Sequence, residues 1–131
     1  MNFYLDALRV RGRILSGFLV AVYRTVDVVH FPTLGIPVPT IEATEIRSTV
    51  AVPRLMEAMT RFTRWVKYLG LPSLSVPCGF TNDGLPAAFL LLGRPFAEAH
   101  LLALGHAYQV RTAWHRIDPR SRGAAAAPWR T

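Results

Sequence analysis

The stretch LGLPSLSVPCGFTNDGLPAAFLLLGRPF, residues 69–96, decides the fold of this chain. In its first part apolar residues alternate with serine and proline, as in a strand with one apolar face; they are Leu74, Val76 and Cys78. Residues 81–84, TNDG, predict a turn, because Asn and Asp bond to their own backbone and Gly accepts a positive φ. The apolar run 87–92 predicts a strand buried on both faces. The stretch therefore predicts two strands joined by a sizeable loop.

Apolar residues recur at helical spacing on either side of this unit, three to four positions apart. The spacing predicts helices over residues 3–25, 53–68 and 98–115. On the last helix the predicted apolar stripe comprises Leu101, Gly105, Tyr108 and Thr112, widened by Leu102 and Leu104. A β-branched cluster predicts a short buried strand over residues 27–31, and the prolines of residues 34–40, LGIPVPT, predict an extended loop. Helices and strands together place the chain in the α/β class.

The composition bounds the kind of protein. With 131 residues the chain is long enough for one domain and too short for two ordinary ones. Its 51% hydrophobic content and mean hydropathy of +0.26 are high for a free-standing domain, so part of the apolar surface is expected to need a partner. The single cysteine, Cys78, excludes an intramolecular disulfide. Since neither a secretory signal nor a confident membrane span is recognisable, the sequence predicts a cytoplasmic protein.

The formal net charge of +7 arises from 14 arginines and one lysine against eight acids. Such a charge is compatible with nucleic acid as a partner, whose binding would depend strongly on salt. However, the arginines are spread along the chain, with small groups at residues 9–13 and 116–122, instead of forming one long run. Nucleic acid is therefore not the predicted partner.

Serine and cysteine are the candidate nucleophiles. Ser73 and Ser75 lack a neighbouring base, and a nucleophilic serine usually sits on a sharp turn, so both are interpreted as hydroxyls on the second face of a strand. Cys78 could form a thiol–imidazole pair with one of the four histidines, which are His30, His100, His106 and His115. The spacing selects none of them, and a small apolar filler at the end of a strand is the favoured interpretation of Cys78.

The remaining candidates concern metals, bases and pockets. His100 and His106 are six positions apart and do not form an i, i+4 ligand pair, so no metal site is predicted; without a Gly-rich phosphate motif, no cofactor is predicted either. Lys67, the only lysine, could act as a general base, but its place near a helix end favours a cation beside the last carbonyls. Trp65 and Tyr68 are the candidates for the wall of a substrate pocket, although core packing is the favoured interpretation of both.

Several motifs of this chain resemble those of the amidase signature family. The motifs GLPSLSVPCGF, DGLP and GRPF stand in the family's order, followed by a last helix that ends near Trp114 and His115. Upstream, VDVVHFPTLGIPVPTIEAT resembles the family's strand and proline-rich loop. Linked motifs in one order are far more specific than one short pattern. The resemblance implies a partial mixed β-sheet with flanking helices, with residues 1–118 as the C-terminal segment of an amidase domain. Residues 119–131 have neither the apolar variety nor the periodicity of a core and are predicted to form a disordered tail.

The resemblance also implies an activity, the hydrolysis of carboxylic amides by a serine that is activated through a cis-bonded serine and a lysine. No stretch of this sequence matches the family's catalytic lysine or its Gly/Ser-rich loop, so no catalytic residue is assigned. Phe31, Lys67 and Ala97 depart from the family's pattern. Ala97 replaces a helix-capping aspartate, which is expected to weaken the last helix by about 1 kcal/mol.

The sequence supports two hypotheses of function. In the first, the chain is the C-terminal segment of an amidase and has no turnover by itself. In the second, it is a non-catalytic interaction module that docks its apolar faces onto a separate N-terminal amidase half or onto itself, because a partial sheet leaves strand edges and helix stripes uncovered. No membrane partner is predicted.

Overall fold

The computed structural model describes residues 3–44 and 51–118. The helices are α1 (Phe3–Val22), α2 (Ile41–Thr44), α3 (Ala51–Thr60), α4 (Arg64–Leu69) and α5 (Glu98–Arg111), with a 3-10 helix at Trp114–Arg116. The strands are β1 (Val28–Pro32), β2 (Ser73–Phe80) and β3 (Pro86–Gly93). The α/β class with helices beside a sheet is confirmed. The tail predicted at residues 119–131 lies outside the described residues and stays a prediction.

The three strands pair antiparallel in the order β1-β3-β2, so that β3 is central. The predicted turn joins β2 to β3: the Thr81 N–H donates to the Leu85 carbonyl at 2.8 Å, and Gly84 has a φ of +78°. The prediction that the second strand is buried on both faces is confirmed. Three successive leucines of β3 are buried, and they are Leu90, Leu91 and Leu92.

Alternation along β3 divides the core into two clusters, one on each face of the sheet. Leu90 and Leu92 pack with residues of α4 and the loop after it, which are Val66, Leu69 and Leu71. Leu91 packs on the opposite face with Val76 of β2 and Leu101 of α5. Helix α5 approaches β2 closely because Gly105 has no side chain: a Cβ there would lie 2.6 Å from Leu74 Cδ2.

Helix α1 is fastened to α4 by aromatic packing and two polar contacts. The rings of Phe18 and Trp65 lie 5.3 Å apart. The Tyr68 hydroxyl donates to the Ala7 carbonyl, and the Arg11 guanidinium donates to the Leu69 carbonyl at 3.3 Å, at the C-terminal end of α4. Even so, none of the residues of α1 is buried.

The junction between α1 and β1 differs from the prediction, because α1 ends at Val22 and not at residue 25. Arg94, which follows β3, donates to the carbonyls of Tyr23 and Val26 and lies 3.5 Å from a carboxylate oxygen of Asp27. A guanidinium with five donors in a fixed fork can hold several oxygens at once. A distant arginine therefore binds the carbonyls that directly follow α1, although the local spacing would continue the helix.

The helix predicted over residues 53–68 is wrong, because α3 and α4 are separate helices joined at residues 61–63. At the break, the Thr60 hydroxyl donates to the Met56 carbonyl at 2.7 Å, a local bond that competes with the helical backbone. The ring of Phe62 turns toward β1 and lies 5.9 Å from the ring of Phe31. Packing of this phenylalanine on the sheet replaces a continuous helix.

The last predicted helix is shorter and narrower than expected. Helix α5 ends at Arg111, because Thr112 is extended and its hydroxyl donates to the Tyr108 carbonyl at 3.0 Å. The proposed widening of its apolar stripe is also wrong, since Leu102 is 60% exposed and Leu104 is 38% exposed. The sheet contacts the stripe of α5 that contains Leu101 and Gly105, and adjacent helix positions point elsewhere.

The cap of α5 gives a testable prediction. Ala97 occupies the N-cap and makes no side-chain capping bond, as its departure from the capping aspartate implies. We expect Ala97→Asp to raise the free energy of unfolding by about 1 kcal/mol, because a carboxylate can accept a bond from the first-turn N–H groups. Urea unfolding followed by circular dichroism measures it. The matched control is Ala103→Asp, at an exposed position within α5, which should give no gain.

Candidate functional site

The two predicted pocket residues lie between α1, α4 and the sheet. Trp65 is half-buried, with its ring 5.7 Å from the ring of Phe31 and 5.3 Å from that of Phe18. Tyr68 is half-buried and its hydroxyl is bonded to the Ala7 carbonyl. Both side chains therefore take part in packing within this chain. Their role in the wall of a substrate pocket stays a prediction.

The two strand serines lie on the exposed β2 edge of the sheet. Ser73 and Ser75 alternate with Leu74 and Val76, so the interpretation of their hydroxyls as groups on the second strand face is confirmed. The Ser75 hydroxyl lies 3.1 Å from the hydroxyl of Thr33, a residue that follows β1. This neighbour is not a base, so the pair has the chemistry of a structural hydrogen bond and not that of an activated nucleophile.

A cleft of about 700 Å³ lies where β2 and β3 leave the sheet. It is lined by the ends of β1, β2 and β3, by the proline-rich segment and by α5; its members include His30, Ile36, Val38, Cys78, Phe89 and Tyr108. Aromatic packing shapes one wall, with the ring of Phe89 4.9 Å from that of His30 and 5.0 Å from that of Tyr108. The lining is mainly apolar and aromatic, which suits an apolar group better than a charged one.

Cys78 lines this cleft because of an irregularity in β2. Pro77 pairs with Ala88 and Gly79 pairs with Ala87, so Cys78 is the extra residue of a β-bulge. Of the four histidines considered, the cleft lining includes His30. His100 and His106 are exposed on α5, and the Nε2 atom of His115 accepts a bond from Arg116. The cleft therefore brings a half-buried thiol and one imidazole to the same surface.

Lys67 and Ser73 line a second cleft, of about 590 Å³, between the α3–α4 region and the sheet. Lys67 is exposed and lies in the last turn of α4, as predicted, where a cation is favourable beside the terminal carbonyls. A lysine acts as base for a serine only when the two are in hydrogen-bond contact. Among residues 3–44 and 51–118, no hydrogen bond joins these two side chains.

The described part of the chain offers neither a metal cluster nor a membrane helix. Residues 3–44 and 51–118 contain no group of three or more His, Cys, Asp or Glu side chains placed to hold a metal ion. Within the same ranges, no helix has both the length and the apolar character needed to cross a bilayer.

Sequence reasoning missed the cleft around Cys78. Its walls come from segments that are far apart in the chain, and the bulge that turns Cys78 toward it is not visible in the alternation of β2. One signal was present: Leu34, Ile36 and Val38 alternate with glycine and proline in the predicted loop. An extended segment with such alternation has one apolar face that must cover something.

Comparison with known proteins gives a consistent assignment. The profile of the family described as Amidase matches residues 1–102. An amidase from Pseudomonas putida is 40% identical over 124 residues, which are 92% of this chain and 26% of that protein. A glutamyl-tRNA(Gln) amidotransferase subunit from Myxococcus xanthus is 42% identical over 106 residues, 81% of this chain and 21% of that protein. The crystal structure of the corresponding glutamyl-tRNA(Gln) amidotransferase subunit from Thermotoga maritima matches with a TM-score of 0.60 and 31% identity, covering 76% of this chain and 20% of that one.

These matches cover a large share of this chain but a small share of each relative. The chain spans about a quarter of the length of the curated relatives it matches, whereas the matches cover most of the chain itself. The structural comparison agrees with the sequence comparison, because both match a glutamyl-tRNA(Gln) amidotransferase subunit. The motif resemblance is thereby confirmed, and the chain belongs to the amidase family.

Proposed function

We propose that this chain is the C-terminal segment of an amidase and that it hydrolyses no amide by itself. The observation that carries the proposal is the partial match: 40% identity to an amidase over nearly the whole chain, but over 26% of the amidase. The motifs GLPSLSVPCGF, DGLP and GRPF support it as well, because they resemble those at the C-terminal end of the family. In this proposal, residues 1–118 belong to the amidase domain, and the nucleophile and its activating lysine are supplied by the remaining polypeptide.

The positions of Ser73, Ser75 and Lys67 support the proposal that the catalytic groups come from the remaining polypeptide. Ser75 faces a threonine hydroxyl, and Ser73 and Lys67 are both exposed on the surface of a shallow cleft. An active nucleophile needs a base in contact and donors that stabilise the oxyanion. The chain's part in the proposed enzyme is therefore to complete the scaffold. The outer edges of Trp65 and Tyr68 would form a wall of the substrate pocket once the remaining polypeptide covers them.

The test uses the Pseudomonas putida amidase polypeptide from which the segment matched by this chain has been removed, called here the truncated amidase. We expect the purified 131-residue chain to show no hydrolysis of acetamide, benzamide or glutamine. Co-expression of the chain with the truncated amidase should yield a complex whose turnover exceeds that of either part. The intact P. putida amidase is the positive control.

Two results would contradict the proposal. One is amide hydrolysis by the chain alone that is abolished by Ser75→Ala or Ser73→Ala, because it would place the nucleophile in this chain. The other is the absence of any complex or turnover in the co-expressed pair when the intact control is active.

The second candidate function is a non-catalytic interaction module, and the exposure of apolar side chains favours it. Phe3 and Tyr4 of α1 are 76% and 71% exposed, and Phe96 is 95% exposed. Large exposed apolar groups commonly mark interaction sites. This candidate also predicts a complex with an amidase polypeptide or with itself, but it predicts no turnover in the complex.

A further inference from the structure

The outward side of α1 carries a regular apolar stripe that is exposed in the described structure. Six residues follow the spacing 4, 3, 4, 3, 4 along the helix, and all six are exposed: Phe3, Ala7, Val10, Ile14, Gly17 and Ala21. We call them the α1 seam. The spacing averages 3.6 residues, which is the period of the α-helix itself, so the six positions stay in line along one side of α1.

The seam is distinct from the face that holds α1 to the rest of the chain. Leu15, Phe18 and Leu19 pack against the core, and Arg11 bonds to the end of α4. Of the seam residues, Ala7 takes part in this attachment through its backbone carbonyl, which accepts a bond from Tyr68, while its side chain stays exposed. At 3.6 residues per turn, the seam lies roughly 100° around the helix from these residues. Because this neighbouring face is fastened at several points, the seam is presented at a fixed position before any partner binds, which lowers the entropic cost of docking.

The sizes of the seam residues describe the partner. Phe3, Val10 and Ile14 are 76%, 44% and 49% exposed, and they project from the first two-thirds of the helix. Gly17 and Ala21 leave a shallow groove in the last third, since a Cβ at Gly17 would meet no atom within 4 Å. A complementary surface is therefore a helix with small residues at one end and large ones at the other.

A second copy of the chain would match the seam in the sizes of its side chains, but it would place like charges beside each other. In an antiparallel pair centred on Gly12, Phe3 would face Ala21 and Ala7 would face Gly17. The same pairing would bring Arg13 of both copies to one flank near the two-fold axis, where like charges repel. Asp6 does not relieve this, because its carboxylate lies 3.3 Å from Arg9.

We propose that the α1 seam is the docking face for a helix of the remaining amidase polypeptide, with acidic residues on the flank that meets Arg13. The inference rests on the proposed function, and two facts choose this occupant. About three-quarters of each relative's length lies outside its match to this chain, so a large partner surface is available. The basic flank of the seam disfavours a second copy and favours an acidic partner.

The test measures binding of the full 131-residue chain to the truncated amidase by co-expression and size-exclusion chromatography. Val10→Asp combined with Ile14→Asp should reduce recovery of the complex by at least about tenfold, because two charges would be buried against an apolar surface. Arg13→Glu should weaken it by about fivefold or more, with a smaller loss at high salt. Gly12→Asp is the matched control and should have no effect, because Gly12 is exposed on the side of α1 away from both the seam and Arg13, where a Cβ meets no atom within 4 Å. Circular dichroism checks that every variant keeps the helix content of the unaltered chain.

The outcomes separate this inference from the proposed function. If the unaltered chain forms the complex and the double aspartate variant forms it equally well, the inference is overturned and the proposed function stands. If the unaltered chain forms no complex, both fail. Self-association of the chain at micromolar concentration that the double variant abolishes would also overturn the inference, because the occupant would then be a second copy.

Discussion

Replacing Leu92 by alanine is expected to lower the free energy of unfolding by about 2–5 kcal/mol. Leu92 is 0% exposed and lies in the central strand, with Val29 of β1 and Ser73 of β2 as its register partners. The backbone is held on both sides by strand pairing, so the chain cannot easily close the cavity that the lost side chain leaves. Such a loss is a large fraction of the roughly 5–15 kcal/mol that stabilises an ordinary domain.

The measurement is urea unfolding followed by tryptophan fluorescence, to which Trp65 contributes from its place against the same cluster as Leu92. Leu102→Ala is the matched control, because it removes the same atoms from a side chain that is 60% exposed. We expect the control to change stability by no more than about 0.5 kcal/mol. Equal losses in the two variants would show that burial of β3 does not dominate the stability of the fold.

The central strand could be predicted because its signal is local. An apolar run bounded by a turn and Gly93 requires only that both faces be covered, and the structure places α4 and α5 on the two faces. The pairing of β1 with β3 could not be predicted in the same way. Their residues lie about sixty positions apart, and the periodicity within one strand does not identify the strand that pairs with it.

Helix ends were the least predictable part of the fold, for a physical reason. The end of α1 depends on Arg94, which is 71 positions away from Tyr23, and the break before α4 depends on Phe62 packing near β1. Apolar spacing continues through both places, so local pattern alone extends the helices. Tertiary hydrogen bonds and packing override that pattern.

The candidate site, like the fold, was predictable where its signal is local and not where it depends on distant contacts. Sequence reasoning identified Cys78 and four histidines but had no ground to choose among them, because the shared cleft depends on a bulge and on a loop that folds over it. Trp65 and Tyr68 were chosen as aromatic residues, and aromatic residues are equally suited to cores and to pocket walls. The family, by contrast, was recognisable from ordered motifs without knowledge of any contact.

Replacing Tyr23 by alanine is the second change with a large expected effect, about 3–5 kcal/mol by comparison with other buried aromatic residues. Tyr23 is 2% exposed, its ring packs edge-on against Phe18 at 5.8 Å, and the Arg94 guanidinium lies 5.4 Å from the ring centre. Its hydroxyl donates to the Leu92 carbonyl at 3.0 Å. Tyr23→Phe keeps the ring and should cost only about 1–2 kcal/mol, because it removes the hydroxyl donor alone.

The same hydroxyl should make the fold sensitive to alkaline pH. Burial raises the pKa of Tyr23 above its ordinary value, and the Arg94 charge acts in the opposite direction. The folded chain therefore holds the phenol proton more tightly than the unfolded chain. This contribution to stability is complete below the ordinary tyrosine pKa of about 10 and is lost as pH rises through the higher folded value.

Unfolding in urea at a series of values from about pH 8 to pH 11 tests this linkage. The free energy of unfolding should fall more steeply with pH for the unaltered chain than for Tyr23→Phe, which has no proton to lose at this position. Tyr4→Phe, at a side chain that is 71% exposed, should keep the slope of the unaltered chain. If Tyr23→Phe kept that slope as well, alkaline unfolding would have to arise elsewhere, and the buried Tyr23 hydroxyl would contribute only its hydrogen bond to Leu92.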